Sequence, residues 1–114
     1  MALELVLEEY HELAVVILEG CVRASNAGFL QNTFNMLLSE GHARIVLDCR
    51  ALSSMNSDGL AVLSDLVRAT SAGGGKIVLC HASKNLVDLL DISGLDQFIE
   101  VTSGRAEAMR QVMH

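Results

Sequence analysis

A serine flanked by two polar residues is the position in this chain whose chemistry stands out. Asn56, Ser57 and Asp58 carry side-chain oxygens, and such oxygens accept hydrogen bonds from the unpaired amides at the start of a helix. By itself this pattern predicts a helix cap, which stabilises a protein by about 1 kcal/mol. The residues alone therefore predict a structural role for Ser57 at the start of a helix.

A strand and a helix must meet at these residues. Residues 45–47 (Ile-Val-Leu) form a short apolar run that is β-branched at its start, which predicts a buried strand followed by a short polar loop. Beyond Gly59 the apolar residues change to helical spacing, which predicts a helix from Ser57 to Thr70. Because the strand is followed by the helix at this cap, the Ser57 hydroxyl is expected to lie at the surface.

The rest of the chain alternates strands and helices. Leucines alternate with mostly acidic residues over positions 3–8, and a turn at 9–12 leads to an apolar second strand, 13–18, that we expect to end at Gly20. Further predicted elements are a helix from Ser25 or Asn26 to Gly41, a strand from Ile77 to Cys80, a helix capped by Ser83 and stopped near Ser93 and Gly94, a strand from Phe98 to Val101, and a last helix from Thr102 or Ser103. Such alternation implies parallel crossovers. We predict one α/β domain over residues 1–114, with a mixed central sheet made of an N-terminal hairpin and parallel strands.

Composition argues against several classes of function. The chain has 114 residues and a net charge of −6, and phosphate binding needs clustered lysine and arginine, so no nucleic acid is expected as a partner. No apolar run approaches the length of a membrane span, and the N-terminus lacks the pattern of a signal peptide, so we expect no direct membrane insertion. Cys21, Cys49 and Cys80 are odd in number and far apart, which favours free thiols in a reducing cytoplasm.

Three other patterns do not form an active site. The glycines of residues 73–76 leave a helix and enter a strand, the reverse of a phosphate-binding loop. Asp48, at the predicted end of a strand, lacks the acidic pair and the lysine of a receiver domain. His81 beside Cys80 provides too few ligands for a metal centre, and Ser57 has no identifiable histidine or acid as its base. We therefore expect no enzyme activity, no cofactor and no metal.

Two motifs resemble the bacterial anti-sigma factor antagonists, a family of STAS domains. Residues 55–60, Met-Asn-Ser-Asp-Gly-Leu, resemble the signature Met-Asp-Ser-Ser-Gly-Leu, in which a partner kinase phosphorylates the serine after the aspartate. The matching residue is Ser57. Residues 89–95, Leu-Leu-Asp-Ile-Ser-Gly-Leu, are similar to the family's Leu-Phe-Asp-Ile-Thr-Gly-Leu segment, and residues 73–79 resemble its glycine pair before a strand.

The resemblance implies a STAS domain with about four helices packed mainly on one face of the sheet, acting as a protein-binding module rather than an enzyme. In such antagonists the unphosphorylated form binds an anti-sigma factor, often a serine kinase, and so frees a sigma factor for transcription. Phosphorylation breaks the complex, and a phosphatase resets it. Carried onto this chain, the partner-binding positions are Arg23, Asn56, Ser57, Asp58, Gly59 and Leu60, with docking through the helix from Ser57 to Thr70.

Three positions depart from the family pattern. Asn56 stands where an aspartate is usual, and Asp58 where a small hydroxyl residue is usual, so the charge has moved across the acceptor. Arg23 ends Gly-Cys-Val-Arg where antagonists usually carry Gly-Glu-x-Asp, which reverses the charge of a loop expected near the helix start. Two alternative roles stay open, a STAS subunit of a lipid-trafficking ABC transporter and a stressosome-type scaffold protein. A homodimer also stays open.

Overall fold

A computed structural model of the chain describes residues 2–114 and shows one mixed five-stranded sheet with four α-helices. The elements in chain order are β1 (Leu3–Glu9), β2 (Leu13–Val22), α1 (Ala27–Ser39), β3 (Arg44–Met55), α2 (Ser57–Ala72), β4 (Lys76–Cys80), α3 (Lys84–Ser93), a 3-10 turn (Leu95–Gln97), β5 (Glu100–Thr102) and α4 (Arg105–Val112). The sheet order is β1-β2-β3-β4-β5; β1 and β2 pair antiparallel, and the other neighbours are parallel. The predicted α/β fold with a mixed sheet is confirmed.

The two faces of the sheet carry separate apolar cores. Alternate residues of β2 point to opposite faces, as the period of a strand requires: Val16 lies in the core under α1, α2 and α3, whereas Val15 lies in a smaller core under α4. Three of the four helices therefore cover one face, as expected for helices mainly on one side. None of the helices within residues 2–114 is long and apolar enough to cross a membrane.

Helix α4 is also held to the opposite face of the sheet by polar contacts. Arg44, at the start of β3, donates a hydrogen bond of 2.7 Å from Nη1 to the carbonyl of Val112 at the end of the helix. Arg105, at the start of the helix, forms an ion pair with Glu8 of β1. The hydrogen bond with Arg105 lowers the pKa of the Glu8 carboxyl from its ordinary value. The small core under α4 thus has a polar contact at each end of the helix.

Strand β3 is much longer than the predicted three-residue run. It extends to Met55, so Asp48 lies inside the strand and not at its end, and only Asn56 separates the strand from α2. The polar residues after Asp48 stay extended because β2 runs beside them as far as the pair Val22 and Met55. The predicted polar loop is therefore wrong, since a neighbouring strand supplies backbone partners that the local sequence does not reveal.

Gly20 does not end β2, as the sequence suggested, but lies within it. Its φ of +105° is in the left-handed region, and the pairing with β3 shifts register between Gly20 and Cys21. A Cβ atom on Gly20 would lie 1.9 Å from the carbonyl oxygen of Ala2. Glycine is thus needed for an irregularity that lets the strand continue to Val22.

The third helix agrees with prediction, and the end of the chain differs. Ser83 caps α3 by accepting a hydrogen bond from the amide of Leu86 (3.2 Å), and Gly94 ends it with a φ of +79°. Strand β5 begins two residues later than predicted, at Glu100, and the last helix begins at Arg105. Thr102 does not start that helix because it still belongs to β5, where its hydroxyl lies within hydrogen-bond distance of the carbonyl of Leu79 in β4 (3.1 Å).

Candidate functional site

The start of helix α2 is capped by Asn56 and not by Ser57. Asn56 has extended backbone angles, and its Oδ1 accepts hydrogen bonds from the amides of Asp58 (3.0 Å) and Gly59 (3.3 Å). Ser57 is the first helical residue, and its side chain is exposed. No other residue in the part of the chain that the structure describes makes a hydrogen bond with the Ser57 hydroxyl. The oxygen that a kinase would modify is therefore not needed by the fold.

Asp58 is the acidic residue in the first turn of α2. Its Oδ2 accepts a hydrogen bond of 3.2 Å from Nδ2 of Asn56, the same side chain that caps the helix. A carboxylate in the first turn interacts favourably with the helix dipole, which contributes about 0.3–1 kcal/mol at an exposed position. The two departures from the family signature, Asn56 and Asp58, thus form one hydrogen-bonded unit around Ser57.

Gly59 holds α2 close to the ends of two strands. A Cβ atom at this position would lie 2.5 Å from Cγ of Met55 and 2.8 Å from Cγ1 of Val22. The amide of Asn56 also donates to the carbonyl of Val22 at 3.1 Å. Gly59 is buried, so close packing within the domain is enough to explain a glycine here, without a role in binding a partner protein. The next residue, Leu60, is half-buried against the larger core.

The structure brings Arg23 to the same end of the sheet. It follows Val22, the last residue of β2, and lines a surface cleft of about 320 Å³ together with Asn56 and Met55. Asn26 shapes this loop, because its side chain accepts from the amide of Arg23 (2.9 Å) and donates to the carbonyl of Cys21 (2.9 Å). The exposed Arg23 and the helix start therefore share one surface, as the sequence predicted.

A second cleft, of about 360 Å³, opens on the other side of Met55. It lies between the outer part of β3 and helix α3, and it exists because β3 continues past its last pair with β4, Asp48 with Cys80. Its lining residues are Leu52, Ser53, Ser54, Met55, Asn85, Leu86, Asp88 and Leu89. Met55, two residues before Ser57, therefore lines both clefts.

Two of the three cysteines, Cys49 and Cys80, are buried in the domain. Burial raises the pKa of the Cys49 thiol to about 12, with smaller contributions from Cys80 and Asp48. Burial, followed by the negative charge of Asp48, raises the pKa of the Cys80 thiol to about 11. Both thiols are therefore protonated at neutral pH, which makes them poor nucleophiles. Cys21 is only half-buried.

Two groups of potential metal ligands come together that the sequence spacing does not reveal. One consists of Asp48, Cys80 and His81, and the other of Glu9, Glu40 and His42; in each, the ligand atoms lie within 4.8 Å of one another. In the first group, strand pairing places Asp48 beside Cys80. In the second group, the end of β1 lies close to the connection between α1 and β3, which carries both Glu40 and His42. Only the adjacency of Cys80 and His81 is visible in the sequence.

The chain is similar to proteins named for anti-sigma factor antagonism. A relative from Bordetella bronchiseptica, BtrV, whose name proposes an anti-sigma factor antagonist, is 26% identical over 106 residues, which cover 93% of this chain and 91% of that protein. The crystal structure of a Thermotoga maritima protein with the same proposed role superposes with a TM-score of 0.89 at 20% identity, covering 96% of this chain and 95% of that one.

A further structural neighbour has been solved with and without phosphate. The Bacillus cell fate determinant SpoIIAA in its phosphorylated form has a TM-score of 0.76 at 22% identity, covering 96% of this chain and 99% of that one. SpoIIAA, an anti-sigma factor antagonist, in its unphosphorylated form gives 0.79 at 18% identity, with coverage of 96% and 98%. These neighbours share the order and arrangement of the elements described above. The STAS domain model matches residues 4–108, nearly the whole chain, and the protein belongs to the STAS domain family.

Proposed function

We propose that this protein is an anti-sigma factor antagonist that docks through the start of α2 and is switched by phosphorylation of Ser57. The observation that supports the proposal is that two neighbouring residues, Asn56 and Ser57, have separate roles. Asn56 caps the helix, and the Ser57 hydroxyl is exposed and has no hydrogen-bond partner among the described residues. Phosphorylation at this oxygen removes no contact that stabilises the fold.

The switch works through local charge. A phosphate on Ser57 adds about −1.5 to −2 charges next to the carboxylate of Asp58. The helix dipole compensates part of this charge within the domain, so the fold stays intact. A partner surface that fits the unmodified helix start meets new bulk and a negative charge that has grown from −1 to about −2.5 to −3, and the complex dissociates. The phosphorylated and unphosphorylated forms of SpoIIAA, both similar in fold to this chain, support a switch without refolding.

The proposed partner is an anti-sigma factor that is itself a serine kinase, and a phosphatase restores the unmodified form. The docking surface consists of Arg23, the residues from Asn56 to Leu60, and the two clefts on either side of Met55. Arg23 places a positive charge beside the helix start, so the partner surface opposite it should be acidic or neutral at that point. The names of the relatives support this class of partner.

The test begins with the protein from its own cells. Mapping by mass spectrometry of the peptide from Ala51 to Arg68, which follows cleavage after Arg50 and Arg68, locates any phosphate among its serines. Affinity capture with the unmodified protein as bait should recover a serine kinase. Phosphate on Ser57 together with kinase capture supports the proposal. An unmodified Ser57 under growth and stress, with capture of a transporter ATPase or of large particles, would replace it by the transporter or scaffold role.

Three variants make the binding test specific. Ser57→Glu should lose the captured kinase, whereas Ser57→Ala should bind it and resist phosphorylation. Ser71 is an exposed serine near the other end of the same helix, so Ser71→Glu adds the same charge away from the proposed surface and should bind normally. Kinase affinity that is unchanged in both Ser57 variants would contradict the proposal.

A further inference from the structure

Asp48, Cys80 and His81 converge on the sheet face covered by α4. Asp48 of β3 and Cys80 of β4 are direct partners in the parallel ladder, and His81 follows Cys80 where β4 ends. A carboxylate oxygen, the Cys80 sulfur and one ring nitrogen lie within 4.8 Å of one another. Carboxylate, thiolate and imidazole are the three side-chain ligand types that zinc uses in proteins.

We propose that Asp48, Cys80 and His81 bind a divalent cation of the zinc class, with water as the fourth ligand. Cys80 binds as the thiolate, and its thiol proton is released to solvent when the cation binds. Tetrahedral zinc holds its ligand atoms at about 2.0–2.3 Å, which places them roughly 3–4 Å apart. The observed separations therefore need only small side-chain adjustments. The site goes beyond the sequence expectation of no metal, and it does not depend on the proposed switch at Ser57.

Burial separates this group from an ordinary surface cluster. Asp48 is 9% exposed and Cys80 is fully buried, whereas acidic groups that gather by chance usually face water. Asp48 keeps one fixed contact, because its Oδ1 accepts from the amide of Arg50 at 3.1 Å. That backbone bond holds the carboxylate in place next to Cys80, as outer contacts commonly do for metal ligands.

His81 has an unusual backbone that brings its ring to the group. It is the one non-glycine residue with a positive φ, 56°, among residues 2–114. The Nη2 atom of Arg50 lies 3.0 Å from Nε2 of His81. Because a guanidinium can only donate, Nε2 accepts this hydrogen bond and directs its lone pair at Arg50. A cation thus already lies against this ring.

Arg50 is therefore the competitor of the metal. A metal-bound imidazole carries its remaining proton on the other nitrogen, so it has no lone pair left for Arg50, whichever nitrogen binds. The Arg50 side chain is exposed and can move into solvent. Removing the Arg50 side chain should therefore strengthen metal binding. A cluster with a purely structural role would not give this result.

The second ligand group is less suitable. Nε2 of His42 lies 3.1 Å from Oε1 of Glu9, and Nδ1 of His42 is buried with no hydrogen-bond partner within the described residues 2–114. A metal on Nε2 would fix the proton on that buried Nδ1 and leave it unsatisfied. The group of Glu9, Glu40 and His42 therefore serves as the internal control.

The test is a cobalt titration of the purified full chain, stripped of metal, followed by competition with zinc. We expect one equivalent of Co²⁺, with the sulfur-to-cobalt charge-transfer band of a thiolate ligand. Cys80→Ser should abolish the band. Asp48→Asn and His81→Asn should weaken binding at least tenfold; asparagine is chosen at position 81 because it tolerates a positive φ. Circular dichroism establishes that each variant is folded.

Controls and the competitor complete the experiment. Cys21→Ser and His42→Ala should bind cobalt like the unmodified protein, and Arg50→Ala should bind it several-fold more tightly. Absence of the sulfur band in the folded protein would overturn the proposal. So would a band that survives Cys80→Ser, or binding that is lost in His42→Ala and kept in His81→Asn.

Discussion

Asn56 and Asp58 share two hydrogen bonds: Oδ1 of Asn56 accepts from the amide of Asp58 at 3.0 Å, and Nδ2 of Asn56 donates to Oδ2 of Asp58 at 3.2 Å. An aspartate at position 56 could cap the helix equally well but could not make the second bond to an ionised Asp58. The amide at one position and the acid at the other therefore go together. Asn56 and Asp58, which exchange the usual positions of charge around Ser57, are therefore compatible with each other. Their hydrogen bonds leave the Ser57 side chain outside the cap.

Asn56→Ala should lower the free energy of unfolding by about 1 kcal/mol, because two amides of the first turn lose their acceptor. Ser57→Ala should change it by less than about 0.5 kcal/mol, since the hydroxyl makes no contact that the fold uses. Urea denaturation of both variants measures the difference. Equal losses would mean that Ser57 shares the capping role.

Charge added at the two ends of α2 should act in opposite directions. Ser57→Glu places an acid at the positive end, where the dipole favours it by about 0.3–1 kcal/mol, less the repulsion from Asp58. Ser71→Glu places the same acid in the last turn, where the dipole disfavours it by a similar amount. We expect Ser57→Glu to be at least as stable as the unmodified protein, and Ser71→Glu to be less stable. Thermal unfolding at low and high salt measures both effects, which salt should reduce.

Signals that lie within one helix were predicted well from the sequence. Ser83 caps α3 and Gly94 ends it because both effects need only neighbouring backbone groups. The choice between Asn56 and Ser57 as the cap was not predictable in the same way. Both residue types can cap, and what decides is where β3 ends, which depends on the hydrogen bond from the amide of Asn56 to the carbonyl of Val22.

Features that need two distant segments were missed. The polar outer part of β3 resembles a loop, and only the neighbouring β2 makes it a strand. Gly20 resembles a strand end, and only the approach of Ala2 shows why a glycine lies inside the strand. The meeting of Asp48 with His81 depends on the register between β3 and β4. The sequence predicts the strands, the helices and the start of α2. The rest of the site depends on how the strands pair.

Two helical glycines offer a matched pair for testing how tightly α2 is packed. Gly59→Ala should destabilise the protein by about 1–3 kcal/mol, because the new methyl would overlap Met55 and Val22. Gly28→Ala, in the first turn of α1, meets no atom within 4 Å and should stabilise the protein by up to about 1 kcal/mol. Denaturant midpoints of the two variants should therefore move in opposite directions. A neutral Gly59→Ala would show that α2 can move away from the strands.

The buried thiols should make the fold sensitive to alkali. The raised pKa values, to about 12 for Cys49 and about 11 for Cys80, mean that the folded state keeps these protons when the unfolded chain has lost them. Their contribution is fully present below the unfolded pKa, near 9, and is lost as the pH rises toward the folded values. Between these limits each thiol should lower the free energy of unfolding by up to about 1.4 kcal/mol per pH unit. Urea denaturation from pH 8 to 10.5 measures the slope.

Comparison with a Cys49→Ala variant isolates the contribution of the Cys49 thiol from that of the rest of the chain. The variant should be less stable at pH 8, because it leaves a small cavity in the larger core. Its stability should nevertheless fall less steeply with pH, so the two curves should converge above pH 9. Cys21→Ser is the matched control for the loss of a thiol, since Cys21 is only half-buried. Parallel curves for Cys49→Ala and the unmodified protein would show that the Cys49 thiol ionises in the folded state as readily as in the unfolded chain.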